Sequence, residues 1–218
     1  MREQSPPSVR LILHSDQSHE RTGEIDAQLI RSLSGKRNPR LVYVPSVADP
    51  RHKYFAEKAR YYEKIGITNC EYFDPLEEKD PARVDEIFQC DVIHLAGGEV
   101  CRFMERLVSS GTDQRLRNFA ARGGVLVGVS AGAMLLGRTF AGAGLFGERG
   151  PTDGLGLFDF EIIPHVAEHF PRMDLLQVFA NKTKKTLYAL NDGDVVVVSG
   201  RKIRTFGAPM KLEPQAVK

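Results

Sequence analysis

The chain has 218 residues, of which 42% are hydrophobic and 27% charged, and its 30 Lys and Arg nearly balance its 28 Asp and Glu. That length suits one α/β domain with a full core and is short for two. A formal net charge of +2 gives no electrostatic case for nucleic acid, and no apolar run nears the roughly 18 residues that span a bilayer.

Met1–Ser8 is polar, carries Pro6 and Pro7, and lacks the apolar stretch of a secretory signal, so a cytoplasmic location is expected. Cys70, Cys90 and Cys101 form no CxxC pair, and an odd count reads as reduced thiols. Cys101 is expected to be a packing residue.

The chain then alternates strand and helix. Val9–His14 is a short apolar run and reads as a first strand. Gly23–Leu33 places Ile25, Leu29, Ile30 and Leu33 at helical spacing. A second strand, Arg40–Val44, stops at Pro45, and a helix over Arg51–Ile65 ends at Gly66. Asn69–Phe73 reads as a strand, Pro81–Phe88 as a helix with Pro81 in its first turn, and Asp91–Ala96 as a strand running into Gly97-Gly98. Helices are expected over Val100–Val108 and Asp113–Ala121. Gly124–Val129 is nearly all apolar, as a strand covered on both faces at the centre of a parallel sheet should be. A helix should follow from Ala131. Late strands are expected at Phe160–Ile163, Thr186–Leu190, Val195–Ser199 and Lys202–Phe206, the last two joined through Gly200-Arg201 as a hairpin.

This alternation predicts a single α/β domain: a doubly wound, mostly parallel sheet with helices on both faces and a C-terminal hairpin. Residues 1–8 and 208–218 are expected to be loose tails. The hairpin leaves an edge at which two copies could pair.

Residues 128–132 read Gly-Val-Ser-Ala-Gly, a G-x-S-x-G pattern between a central strand and a helix. That is the setting of a nucleophilic serine on a sharp turn, where Gly128, Ala131 and Gly132 are small enough to let the chain reverse. The alternatives are a buried Ser on a plain turn or a phosphate-binding turn, and the latter lacks the Lys of a P-loop. Acyl transfer needs two N–H groups aimed at the developing oxyanion. Ala131, next to the Ser, and Gly98, whose lack of a side chain permits close approach, are the candidates. Taken alone, Gly97-Gly98 is better explained by an ordinary strand-to-helix turn.

Three segments in order, LAGGE before a helix, GVLVGVSAGAM, and GLGLFDFEIIPHV, resemble the dipeptidase E and cyanophycinase family of serine peptidases, and the likeness runs from about Val9 to Gly207. The resemblance implies a flavodoxin-like or class I glutamine-amidotransferase-like sheet and a Ser-His-acid site that cleaves small peptides or isopeptides. By position it makes Ser130 the nucleophile, His165 of the Pro-His pair the base, and Gly98 and Ala131 the oxyanion donors. His165 also follows an apolar strand, which places it at the sheet's carboxyl rim. His14, at the end of the first strand, could line the same cleft.

The acid is open between several carboxylates in the Ser-to-His interval: Glu148, Asp153, Asp159 and Glu161. Glu148, in the Gly-rich run AGAGLFGERG, is preferred because the loop can bend toward the site and the family places an acid at about this separation. Asp153 is the second choice; it introduces a turn and so competes for its own backbone. Where the family often has Asn after the glycine pair, this chain has Glu99, which would favour an amine or a basic group. His169 and Arg172 are the expected substrate-binding counterparts near the base. No metal or cofactor is expected, since no His, Cys, Asp or Glu cluster has a familiar ligand spacing. The expected activity is a serine peptidase acting on a small peptide through an acyl-enzyme. The alternatives are an esterase or amidase with the same triad and a non-catalytic small-ligand binder.

Overall fold

The computed structural model describes residues 9–169 and 173–215. Five strands of the main sheet run parallel, with β3 at the edge: β1 (Arg10–His14), β2 (Leu41–Val44), β3 (Cys70–Tyr72), β4 (Val92–Leu95) and β5 (Val125–Val129). β8 (Val195–Ser199) joins antiparallel to β1, and β9 (Lys202–Phe206) pairs with it as the expected hairpin. The order across this seven-stranded sheet is β3-β2-β4-β5-β1-β8-β9.

Each central strand reads as continuously apolar because both of its faces are covered. Leu11, Leu13, Val42, Val44, Ile93, Leu95 and Leu126 point into one core. Ile12, Leu41, Val92, Val125 and Val127 point into the other. On the first face lie α3 (Pro81–Ile87), α4 (Val100–Ser109) and α5 (Thr112–Ala121), and on the second α1 (His19–Ser34) and α2 (Lys53–Lys64). Ser18 caps α1 by accepting from the Arg21 N–H, and Gly35, at φ 72°, closes it in the left-handed region.

Several expectations need correction. Phe160–Ile163 and Thr186–Leu190 do form strands, β6 (Glu161–Ile163) and β7 (Leu187–Ala189), but they belong to a separate three-stranded sheet. Its third strand, β10 (Met210–Leu212), lies in the segment expected to be a loose tail and pairs antiparallel with β7. Residues 1–8 and 216–218 of those expected tails lie outside the described residues. Between β6 and β7 run α7 (Val166–His169) and α8 (Met173–Thr183), neither expected from periodicity. The helix after Ser130, α6 (Ala131–Met134), is a single turn. It stops because the Leu135, Leu136 and Gly137 carbonyls accept from the N–H groups of Leu155, Leu157 and Gly156 instead of from a next helical turn. Among the described residues no helix is long and apolar enough to cross a membrane.

Candidate active site

Ser130 sits at the carboxyl end of β5 with φ 51° and ψ −113°, a conformation side-chain-bearing residues rarely adopt. The surrounding backbone enforces it. The Ser130 N–H donates to the His14 carbonyl at 3.0 Å, and the Gly132 N–H donates to the Ala96 carbonyl at 3.1 Å. The flanking glycines are fixed by sterics. A Cβ on Gly128 would lie 2.7 Å from the Ala133 backbone, and one on Gly132 would lie 2.7 Å from the Leu95 carbonyl carbon. The G-x-S-x-G pattern is thus the imprint of a turn pressed between β4 and its own first helical turn.

Gly97 brings a second segment against the nucleophile, since a Cβ there would lie 3.4 Å from the Ser130 Cβ. Gly98 has φ 143°, and the Ser46 hydroxyl, which donates to the Gly97 carbonyl, fills the space where its side chain would be. Gly98, next to Gly97 past the end of β4, and Ala131, next to Ser130 past the end of β5, are the two positions expected to supply oxyanion donors.

The imidazole arrives from the small sheet. β6 and β7 run parallel, so the residues after them emerge at one end. His165 follows β6, and its Nε2 lies 3.1 Å from the Ser130 Oγ. Asp192 follows β7, and its Oδ1 lies 2.7 Å from the His165 Nδ1. The Ser15 hydroxyl, just past β1, donates to the same Asp192 oxygen at 2.9 Å and accepts the His165 N–H at 2.8 Å. Asp194 shapes the loop by accepting the Asn191 N–H, and Arg21 of α1 donates to the Asp192 carbonyl.

The acid expectation is corrected accordingly. Glu148 does not approach His165; its two oxygens accept the N–H groups of Val100 (3.1 Å) and Cys101 (2.9 Å). A carboxylate there satisfies the free donors at the start of α4 and its positive end, where Glu99 makes no side-chain cap. Asp153, the second choice, is exposed and pairs through its backbone with Thr139. Asp159 binds Lys185, and Glu161 turns into the fold toward Thr139. Asp192 lies outside the Ser-to-His interval from which the expected acid came. The signal was present: an Asp three residues past the apolar strand end Leu187–Ala189, at the rim where such folds place their chemistry.

The remaining candidates fall as follows. Glu99 is exposed and lines a cavity of about 450 Å³ beside Gly97 and Gly98, with Tyr43, Glu57, Lys58 and Arg102. His169 packs its ring edge-on to His165 at 6.2 Å and against Phe146. Arg172 lies outside the described residues. The His14 ring is buried against Asp26 on the α1 face, so this residue serves Ser130 through its carbonyl rather than its imidazole. Burial, reinforced by Glu148, pushes the Cys101 thiol up to about 11, which suits a packing residue.

A serine on a strained strand-to-helix turn, hydrogen-bonded to a His that is hydrogen-bonded to an Asp, defines the class of serine hydrolases on an α/β sheet. The chain belongs to peptidase family S51, whose model matches residues 11–206, and is by family a serine-type peptidase. It is 25% identical over 172 residues to the uncharacterised peptidase YgaJ of Bacillus subtilis, covering 76% of this chain and 72% of that protein. It is 31% identical over 116 residues to cobyric acid synthase of Cereibacter sphaeroides, but that match takes in 49% of this chain and only 24% of the synthase. Among solved structures, the fold matches a candidate peptidase E protein from Listeria monocytogenes EGD-e (TM-score 0.71, 18% identity, 92% of this chain and 99% of that one). It also matches a peptidase from an acI-B1 actinobacterium (TM-score 0.71, 18% identity, 98% of each chain).

Proposed function

We propose that the chain hydrolyses the amide bond of a small peptide or isopeptide through an acyl-enzyme on Ser130, with His165 as base and Asp192 as the acid that orients it. The observation that carries this reading is the unbroken relay from Ser130 Oγ to His165 Nε2 (3.1 Å) and from His165 Nδ1 to Asp192 (2.7 Å). An Nδ1–H donated to a carboxylate leaves Nε2 bare, which is the tautomer able to take the serine proton. As Oγ attacks the carbonyl carbon, the proton passes to Nε2 and the negative charge moves to the substrate oxygen. The N–H groups of Gly98 and Ala131 would receive that oxygen. His165 then protonates the leaving amine, and a water repeats the sequence to release the acid. The cavity beside Gly98, lined by Tyr43, Glu57, Lys58, Glu99 and Arg102, has room for a side chain or two rather than a long polypeptide.

The test is a fluorophosphonate label followed by turnover on a panel of dipeptides, isopeptides and esters. Label on Ser130 with amide turnover is the expected result. Ser130→Ala should lose turnover by on the order of 10⁴-fold or more while staying folded. Turnover of esters alone would reassign the substrate class, and an unlabelled Ser130 would overturn the mechanism.

A further inference from the structure

Ser15 is fully buried, and its hydroxyl touches both the Asp192 carboxylate and the backbone of His165. It donates to Asp192 Oδ1 at 2.9 Å, the same oxygen that meets His165 Nδ1, and it accepts the His165 N–H at 2.8 Å. These bonds also cross from the main sheet, which Ser15 follows at β1, to the small sheet that carries His165 and Asp192. His165 itself has φ 54°, a left-handed conformation that costs energy in a β-substituted residue and needs support from its neighbours.

We infer that Ser15 is a positioning residue for the hydrolytic reaction: one hydroxyl clamps the strained His165 backbone and fixes the Asp192 carboxylate, setting the imidazole against Ser130. This rests on the triad reading of Ser130, His165 and Asp192. Without the hydroxyl, the His165 N–H loses its acceptor and Asp192 loses one of its two side-chain anchors. Asp192 Oδ1 then shares its lone pairs with His165 alone and becomes the stronger acceptor, which favours the imidazolium. Two consequences follow. The rate falls because the base is less well placed, and the acid limb of the pH profile moves upward because His165 protonates more readily.

The experiment measures the second-order rate of fluorophosphonate labelling against pH in the whole chain and in Ser130→Ala, Ser15→Ala, Asp192→Asn and the Ser15→Ala/Asp192→Asn double variant. In labelling, the Oγ–P bond forms, the P–F bond breaks, and the serine proton passes through His165 Nε2 to leave with fluoride. Thermal midpoints confirm that each variant is folded. Ser15→Ala should slow labelling about tenfold or more in the wild-type background but less than about threefold beside Asp192→Asn, because residues acting through one another are not additive. Its acid limb should lie above that of the wild type. An equal loss in both backgrounds, or a slower rate with an unmoved limb, would make Ser15 merely structural and overturn the proposal. Labelling that persists in Ser130→Ala would overturn the triad reading and this proposal with it, whereas labelling confined to Ser130 with Ser15→Ala at the wild-type rate would overturn this proposal alone.

Discussion

Ser130 and His165 touch, yet the two regions that deliver them are built on different physics. The Ser130 turn is held by exclusion: Gly128 and Gly132 admit no side chain, and Val129, Ala131 and Ala133 are buried around it. The His165–Asp192 region is held by polar bonds at a more open edge, where the two side chains keep 24% and 37% of their exposure. Close packing leaves a local imprint, since every position must be small in one short stretch. Hydrogen bonds bring together residues distant in sequence, here Ser15, His165 and Asp192, and leave no local pattern. Changes of volume should therefore damage the first region, and changes of charge or donor the second.

The largest effect is expected from charge in the polar region. Asp192→Asn should lower turnover by on the order of 10² to 10⁴-fold, because an amide can neither enforce the tautomer nor hold the imidazolium. With Asp192 partly exposed, thermal stability should barely move. A thermal midpoint that collapsed in this variant would erase the distinction between the regions. Gly132→Ala is the complementary test. Its Cβ would press on the Leu95 and Ala96 carbonyls, backbone atoms that cannot step aside, so a loss of about 1–3 kcal/mol or more is expected alongside lost activity. Chemical denaturation measures it, and wild-type stability would show that the turn has slack.

The same contrast explains what could be read in advance. The central parallel strands and Ser130 were legible because burial on both faces and the small-residue turn write themselves into consecutive residues, and the edge strands β3 and β9 because turn residues bound them. The strands β6 and β7 were legible too, but their place in a separate small sheet was not. β6, β7 and β10 are short, and β10 gains its identity only from pairing with β7. Asp192 lies beyond His165 in sequence, outside the Ser-to-His interval. Glu148 drew attention by its flexible surroundings, but flexibility says nothing of where a carboxylate finds donors. The start of α4 offers free N–H groups and a positive end, and it takes that charge.

Glu148→Gln sharpens this point with a smaller effect. It should cost about 0.5–1.5 kcal/mol of stability, the range for a weakened cap at a helix start, and change turnover less than about threefold. Paired with Asp192→Asn it forms a cross-over: stability moves in one, activity in the other. Turnover falling as far in Glu148→Gln as in Asp192→Asn would mean that the α4 start and the reaction are coupled.

The smallest effect on activity separates two imidazoles by pH. His94 lies on β4, the strand that leads to Gly97, fully within the packed region; its Nδ1 meets the Tyr62 hydroxyl at 2.9 Å and its ring stacks on Tyr43. Burial first, then the nearby Lys58 and His14, holds its protonation well below the ordinary histidine range. The unfolded chain takes up a proton near pH 6.5, while the folded chain does so only at lower pH. Between those points the unfolded state binds more protons, so the contribution is fully present above about pH 6.5 and is lost as pH falls, by at most about 1.4 kcal/mol per pH unit. His94→Gln removes the proton site and keeps a group able to meet Tyr62. Its stability should therefore decline less steeply than wild type between about pH 6.5 and 5, the window set by the depressed protonation. The acid limb of fluorophosphonate labelling, which the proposed mechanism assigns to His165, should stay where it is. Parallel stability curves would show that His94 is as readily protonated folded as unfolded. A labelling limb that moved with His94→Gln would show that the packed region and the polar edge share one titration, and the two would then have to be treated as a single network.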